Sequence, residues 1–499
     1  MRVVKSKNPQ MKLGEIDIGR IEFDLRCRDE IPKMLIGFQH IYTTPELREE
    51  IFKVLENLIP QNIDKNNGRP GMQLWQILVM GSLRLNCNWD YDKLQDIVNN
   101  HSTVRQMLGI STLEDHIKFH LNTLKDNVSL LTPEILREIN DILVKHSHAE
   151  IVKKNSPVIK GHCDSFVVKT NVHYPTDVNL LNDAMRKVIS LAQELCSLKG
   201  LTGWRQWRHL IKLIKNAMYH IQNVNRKSKG GKNKDRKNKE KKRAYKSYIG
   251  LCEPILVRAK ADIEILSMQK KLKKSEQKTL LLLKDFIKDA ERQIDQISRR
   301  IFKEETILSS EKVFSIFERH TEWIVKGKAG ISQELGVKVC ILKDQYGFIL
   351  NHKVMEKLED VDVAIPFVKE TKNIFRNLTS CSFDKGFYSP KNREELNAIL
   401  DTVIMPKKGK LNSSEQTIET SEEFISARKK HSAVESAIAA LENHGLDLCP
   451  DKKITGFKRY IALAVFSRNV QILGHIIQQK RLREALRKER KNRLSYFAA

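Results

Sequence analysis

Three acidic residues in unlike settings are the groups in this chain best suited to do chemistry. Asp164 stands in Val158 to Val168, a run rich in β-branched residues that follows Pro157 and reads as a strand. Asp384 follows a second strand-like run, Leu378 to Phe383, and opens Asp384-Lys385-Gly386-Phe387-Tyr388. Glu435 sits in a helical stretch that begins near Glu422 and is stopped by Gly445. Convergent carboxylates are costly unless a cation neutralises them, and hard oxygen ligands suit Mg²⁺ or Mn²⁺. Two such ions, roughly 3.5 to 4 Å apart, activate a water or a 3′ hydroxyl on one side of a phosphodiester and stabilise the leaving oxygen on the other.

Cationic residues accompany the acids. Arg428 and His431 lie seven and four residues before Glu435, and Glu442 seven after, which places them on one helical stripe. Arg428, Lys429, Lys430 and His431, with Lys385 beside the second aspartate, are candidates to grip DNA backbone phosphates, a role that carries no sequence information. Other groupings are weaker. His162 and Cys163 adjoin Asp164 and His444 lies near Cys449, but neither offers four ligands at zinc-site spacing, so both read as packing or substrate-facing residues. Asp177 is explained as well by a helix N-cap as by a role in a site. No phosphate-binding G-x-x-x-x-G-K-[ST] loop occurs, which argues against nucleotide hydrolysis.

The acids are positioned by a sequence of elements that alternates between helix and sheet. After the Asp164 strand come a helical stretch from about Val178 to Ile307 and a hairpin (Val337 to Leu342, a turn at Asp344 to Gly347, Phe348 to His352). The strand ending at Asp384 follows, then a helix capped by Ser389-Pro390, a strand at Thr402 to Met405, a polar loop and the Glu435 helix. That is the order of an RNase H-like mixed sheet flanked by helices, with a helical insertion between its first and second strands. The first and fourth strands of such a sheet are neighbours, so Asp164 and Asp384 are expected to meet near one sheet edge with Glu435 against them. In the insertion, Leu283, Ile287, Ala290, Ile294, Ile297 and Ile301 recur at 4-3 spacing, the seam of a helical hairpin or coiled coil.

Charge sets the partner. Lys and Arg number 88 against 61 Asp and Glu, a net +27 that favours a polyanion, nucleic acid first. Asn225 to Lys246 holds 12 basic residues against Asp235 and Glu240 and reads as a linker or a DNA-contacting arm. Asp90 to Leu108 could supply a helix-turn-helix. The expected layout is an unassigned segment 1–35, a helical DNA-binding domain 36–150, a catalytic domain split over 151–182 and 311–475 around the insertion 183–310, and a basic terminal helix 476–499. Eight scattered cysteines without a C-x-x-C pair suggest reduced thiols in a cytoplasmic, nucleoid-associated protein. The longest apolar run, Tyr460 to Phe466, is too short to span a bilayer, so no membrane partner is expected.

Three separated segments, DSFVVKTNVHYPTDVNLL from Asp164, FDKGFYS from Phe383, and HSAVESAIAALENHGLDLCP with GFKRYIALAVFSRNVQILG between His431 and Gly474, resemble DDE insertion-sequence transposases, closest to the ISNCY group. The resemblance runs from about residue 68 to 474. It implies that Asp164, Asp384 and Glu435 are the metal-binding catalytic triad, holding two Mg²⁺ or Mn²⁺ ions. It further implies that the partners are double-stranded element ends and target DNA, bound by a dimer or larger assembly. Where the wider transposase class often has Tyr, Arg and Lys around the glutamate, this chain has Arg428, His431 and Glu442. The rival expectations are an RNase H-like nuclease without transposition and a domesticated, catalytically inactive DNA-binding protein.

Overall fold

The computed structural model describes residues 13–59, 71–151, 158–227, 234–268, 272–325 and 333–498. The chain divides into two units, one formed by Met1–Asn171 with Ile324–Ala499 and one by Val172–Trp323.

The first unit is built on a seven-stranded mixed sheet. Its strands are β1 (Ile159–Thr170), β2 (Glu322–Val325), β3 (Gln333–Lys343), β4 (Ile349–Met355), β5 (Leu378–Phe383), β6 (Thr402–Ile404) and β7 (Leu448–Cys449). β3 runs antiparallel to both β1 and β4, whereas β5 runs parallel to β1 and β6 parallel to β5. The order β4-β3-β1-β5-β6 puts β1 and β5 inside the sheet, so the expected meeting of Asp164 and Asp384 near a sheet edge is corrected. They meet at the point where β5 ends, and β7 takes up the pairing with β1 only at Lys169 and Thr170. β1 is buried along most of its length, at polar positions such as His162 and Thr170 as well as at Phe166 to Val168. The hairpin turn needs Gly347, whose φ is +100°.

The helices before the sheet are α1 (Glu30–Thr43), α2 (Pro45–Leu55), α3 (Leu74–Asn86), α4 (Tyr91–Asn100), α5 (Ser102–Met107), α6 (Leu121–Val128) and α7 (Pro133–Ile151). They form no separate domain. One apolar cluster runs from Met34, Trp75 and Leu136 through Val168, Ile341 and Cys381 to Leu441 and Phe466, so helices and sheet share a core. The predicted helix-turn-helix shape is present at α4 and α5, with the His101 ring accepting from the Val104 amide. Yet α5 has only six residues, and its Arg105 is buried against the carbonyls of Asn99, Glu114 and Ile117. This is a packing element whose one arginine is already spent.

In the second unit, α8 (Asp177–Leu198), α9 (Trp207–Lys227), α10 (Lys234–Met268) and α11 (Lys274–Phe302) enclose their own core. The 4-3 seam of α11 packs within the chain, chiefly on α8. The basic block is expected to be a linker or a DNA-contacting arm, and its described part from Lys234 onward is the opening of the helix α10. Lys and Arg are good helix formers, and Ala244, Tyr245 and Tyr248 give that helix a buried face. Asp177 is the first residue of α8 rather than its cap, which is Thr176, and it pairs with Arg300. The unit limits also fall at 172 and 323 rather than at 183 and 310.

The remaining helices return to the first unit: α12 (Asp360–Ile374), α13 (Pro390–Ile399), α14 (Ser413–Glu419), α15 (Glu422–Leu441) and α16 (Lys453–Ala498). The expected polar loop after β6 contains α14. The basic terminal helix expected at 476–499 is the end of one longer helix, α16, because nothing between Ile476 and Lys480 breaks it. By length and composition α16 is apolar enough to cross a membrane, contrary to the reading of the short Tyr460 to Phe466 run, but 72% of that window is buried in the fold. It packs on α1, α3 and α7. Gly37 and Gly474 allow the approach to α1, since a Cβ on Gly474 would lie 1.8 Å from the Lys33 carbonyl oxygen.

Candidate active site

The site forms where β1, the end of β5 and α15 come together. The parallel register pairs His162 with Ser382 and Cys163 with Phe383, so Asp164 and Asp384 are the next positions in step. Successive strand residues alternate faces, which puts His162, Asp164 and Ser382 on one side and Ser165 on the other. α15 covers the first side. Two bonds pin it there: the Lys343 ammonium donates to the Ala433 carbonyl at 2.9 Å, and His431 Nδ1 meets Ser382 Oγ at 2.9 Å. Glu435 follows His431 by one helical turn and so stands on the same stripe.

Ser382 Oγ also meets His162 Nδ1 at 2.8 Å, so one hydroxyl joins the two imidazoles, donating to one and accepting from the other. Burial pushes the His162 pKa down to about 4, helped by the charges of Lys343, His431 and Lys430. His431 is also lowered, by burial above all and by Arg428, against the upward pull of Asp384 and Glu435. Both rings are therefore neutral near pH 7.

Asp164 behaves in the opposite way. Burial raises its carboxyl to about 7, the Ser165 amide at 2.7 Å pulls it down, and Asp384, Asp360 and Glu435 push it further up. The charges of those three carboxylates thus reach Asp164. Asp384 and Glu435 are exposed, and among the described residues neither forms a hydrogen bond or an ion pair through its carboxylate. Among the described residues no three His, Cys, Asp or Glu side chains are close enough to hold a metal ion as they stand.

Arg428, Lys429, Lys430 and Lys385 are all exposed. The effects of Arg428 on His431 and of Lys430 on His162 place those two charges beside the site. α15 ends at Leu441, Glu442 still has helical backbone angles, and the chain then turns through a π-type bend closed by Gly445 at φ +104°. Cys163 is fully buried, with its Sγ 3.5 Å from that of Cys340, and His444 bonds to the Asn86 carbonyl, so neither belongs to a metal cluster.

Asp360 is the site residue that the sequence reading missed. It begins α12 on the opposite face of β1, accepts from Ser165 Oγ at 2.6 Å and lies 3.7 Å from the Lys338 ammonium. A Cβ on Gly386 would come within 3.1 Å of its carboxylate, so this fourth acid also touches the Asp384-Lys385-Gly386 segment. In the sequence it looks like any acidic residue in the first turn of a helix.

Comparison with family models, with curated proteins and with solved structures found no match to this chain.

Proposed function

We propose that this chain is a DDE-type DNA transposase with an RNase H-like catalytic sheet, in which Asp164, Asp384 and Glu435 act together on phosphodiesters. The observation that carries the reading is the β1–β5 register, which sets Asp164 in step with Asp384 beneath the helix bearing Glu435. The strand order β4-β3-β1-β5-β6, with β3 reversed, supports the fold assignment.

The donor set fits a divalent cation. Asp164 is a largely desolvated carboxylate that feels the charges of three others, and among the described residues no cationic side chain pairs with it, so positive charge is what such a group lacks. Asp164, Asp384 and Glu435 would be the ligands of Mg²⁺ or Mn²⁺, two ions in the full site. Bound there, the metal supplies activation of the attacking oxygen and stabilisation of the leaving one. The chain's own residues do the rest. Arg428 and Lys430 hold backbone phosphate beside the carboxylates, with Lys429 and Lys385 as further exposed cations. The His162–Ser382–His431 link and the Lys343–Ala433 bond fix α15 on the sheet and so fix Glu435. Joining two element ends requires a dimer or larger assembly on DNA.

The test is a strand-transfer assay with the full chain, Mg²⁺ or Mn²⁺, and DNA from the borders of its own gene. Joining of a 3′ end to target DNA, lost in Asp384→Asn and Glu435→Gln, is the expected result. Cleavage without joining would favour a nuclease on the same fold. Activity unchanged by Asp164→Ala would remove the proposed site altogether.

A further inference from the structure

A second site lies on the other flank of α15. A cavity of about 420 Å³ opens between α1, the β3–β4 turn, α15 and α16, a volume within the usual range for small-molecule pockets. Its charge is one-sided. Lys33, Lys343 and Arg468 line it against the single carboxylate of Glu30. That carboxylate is already engaged by Lys33 at 3.3 Å and by the Gln471 side-chain amide.

Arg468 is the most telling residue. Its side chain is half-buried, and burial lowers its pKa against the upward pull of the Glu30 carboxylate. One terminal nitrogen donates to Gln471, while Nε is shielded from solvent and has no hydrogen-bond partner. Among the described residues Arg468 forms no ion pair. A guanidinium with a buried, unused donor is expensive to keep unless something anionic completes it. Arg is also the side chain whose planar fork suits phosphate. Tyr346, 38% exposed, and the exposed His475 flank the cavity with ring surfaces. Cations set deep with aromatic rings beside them match a phosphate joined to a flat heterocycle.

We infer that this cavity binds a phosphate-bearing nucleotide unit, with Arg468 and Lys343 on the phosphate and Tyr346 and His475 beside the base. The unit is either a free nucleotide or the end of a nucleic-acid strand. Ser436 of α15 borders the cavity next to Glu435, so its occupant abuts the helix that carries the third acid. The inference does not depend on metal chemistry at Asp164.

Isothermal titration of the full chain with inorganic phosphate, dAMP and a 5′-phosphorylated single-stranded oligonucleotide tests it. The expected result is that dAMP or the oligonucleotide binds more tightly than phosphate, and that Arg468→Gln weakens it about tenfold or more. His475→Glu, at an exposed position that does not threaten folding, should weaken it severalfold by adding negative charge. Tighter binding of dAMP would identify a free nucleotide as the occupant, and tighter binding of the oligonucleotide a strand end. Asp384→Asn should bind as wild type does while losing strand cleavage, which separates failure of this site from failure of the catalytic one. The inference is overturned if no probe binds more tightly than about 1 mM. It is equally overturned if dAMP and oligonucleotide gain nothing over phosphate, or if both variants bind as wild type does.

Discussion

Replacing Asp164 with asparagine should stabilise the metal-free protein, and do so more strongly as the pH rises. Burial, then the charges of Asp384, Asp360 and Glu435, raise the Asp164 carboxyl from 3.8 to about 7 in the fold. Because the folded-state pKa lies above the unfolded one, the stability linked to this group is fully present below about pH 4 and is lost as the pH rises through about 7. The gap of about three units corresponds to about 4 kcal/mol in all, of which about 2.5 kcal/mol falls between about pH 5 and about pH 8. Asparagine has nothing to ionise, so its advantage over wild type should grow by about 2.5 kcal/mol across that interval. Urea unfolding of both proteins at the two pH values, with chelator present, measures this. Adding Mn²⁺ at the higher pH should then stabilise wild type and leave Asp164→Asn unchanged. A difference that stays constant across the pH range would refute the reasoning, because it would mean that Asp164 titrates like an ordinary surface carboxylate.

Two further perturbations follow from the geometry. Gly474→Ala should lower stability by about 1–3 kcal/mol in urea unfolding despite alanine's better helix propensity, because the new Cβ meets the rigid Lys33 carbonyl. Changing Arg428, Lys429 and Lys430 together to glutamine should weaken DNA binding alike for all sequences and reduce the slope of log affinity against log salt by about 2 to 3.

Much of the site could be read from local sequence because its parts are locally determined. The β-branched run around Asp164, the strand ending at Phe383, the Ser389-Pro390 start of α13 and the glycine stop at Gly445 each depend on a few neighbouring residues. The parts that could not be read depend on distant ones. Asp360 gains its meaning only because Ser165, on a strand 195 positions earlier, turns toward it. The helical N-terminal segment merges with the sheet because α16 supplies the shared apolar face, which no local pattern announces. The basic stretch opening α10 looked too polar to fold because its support, Tyr245 and Tyr248, lies at its far end. The sheet-edge expectation failed for a different reason. β1 and β5 are neighbours as expected, but β1 is flanked on both sides, and it is the early end of β5 that opens the site.

The most direct measurement is Mn²⁺ binding to the full chain, followed by calorimetry or by the loss of the free-ion paramagnetic resonance signal. Wild type should take up manganese near neutral pH, releasing protons as Asp164 ionises, and Asp164→Asn, Asp384→Asn and Glu435→Gln should each weaken it about tenfold or more. Uptake of the same strength by all three variants, or none by wild type, would mean that these carboxylates do not cooperate around a cation.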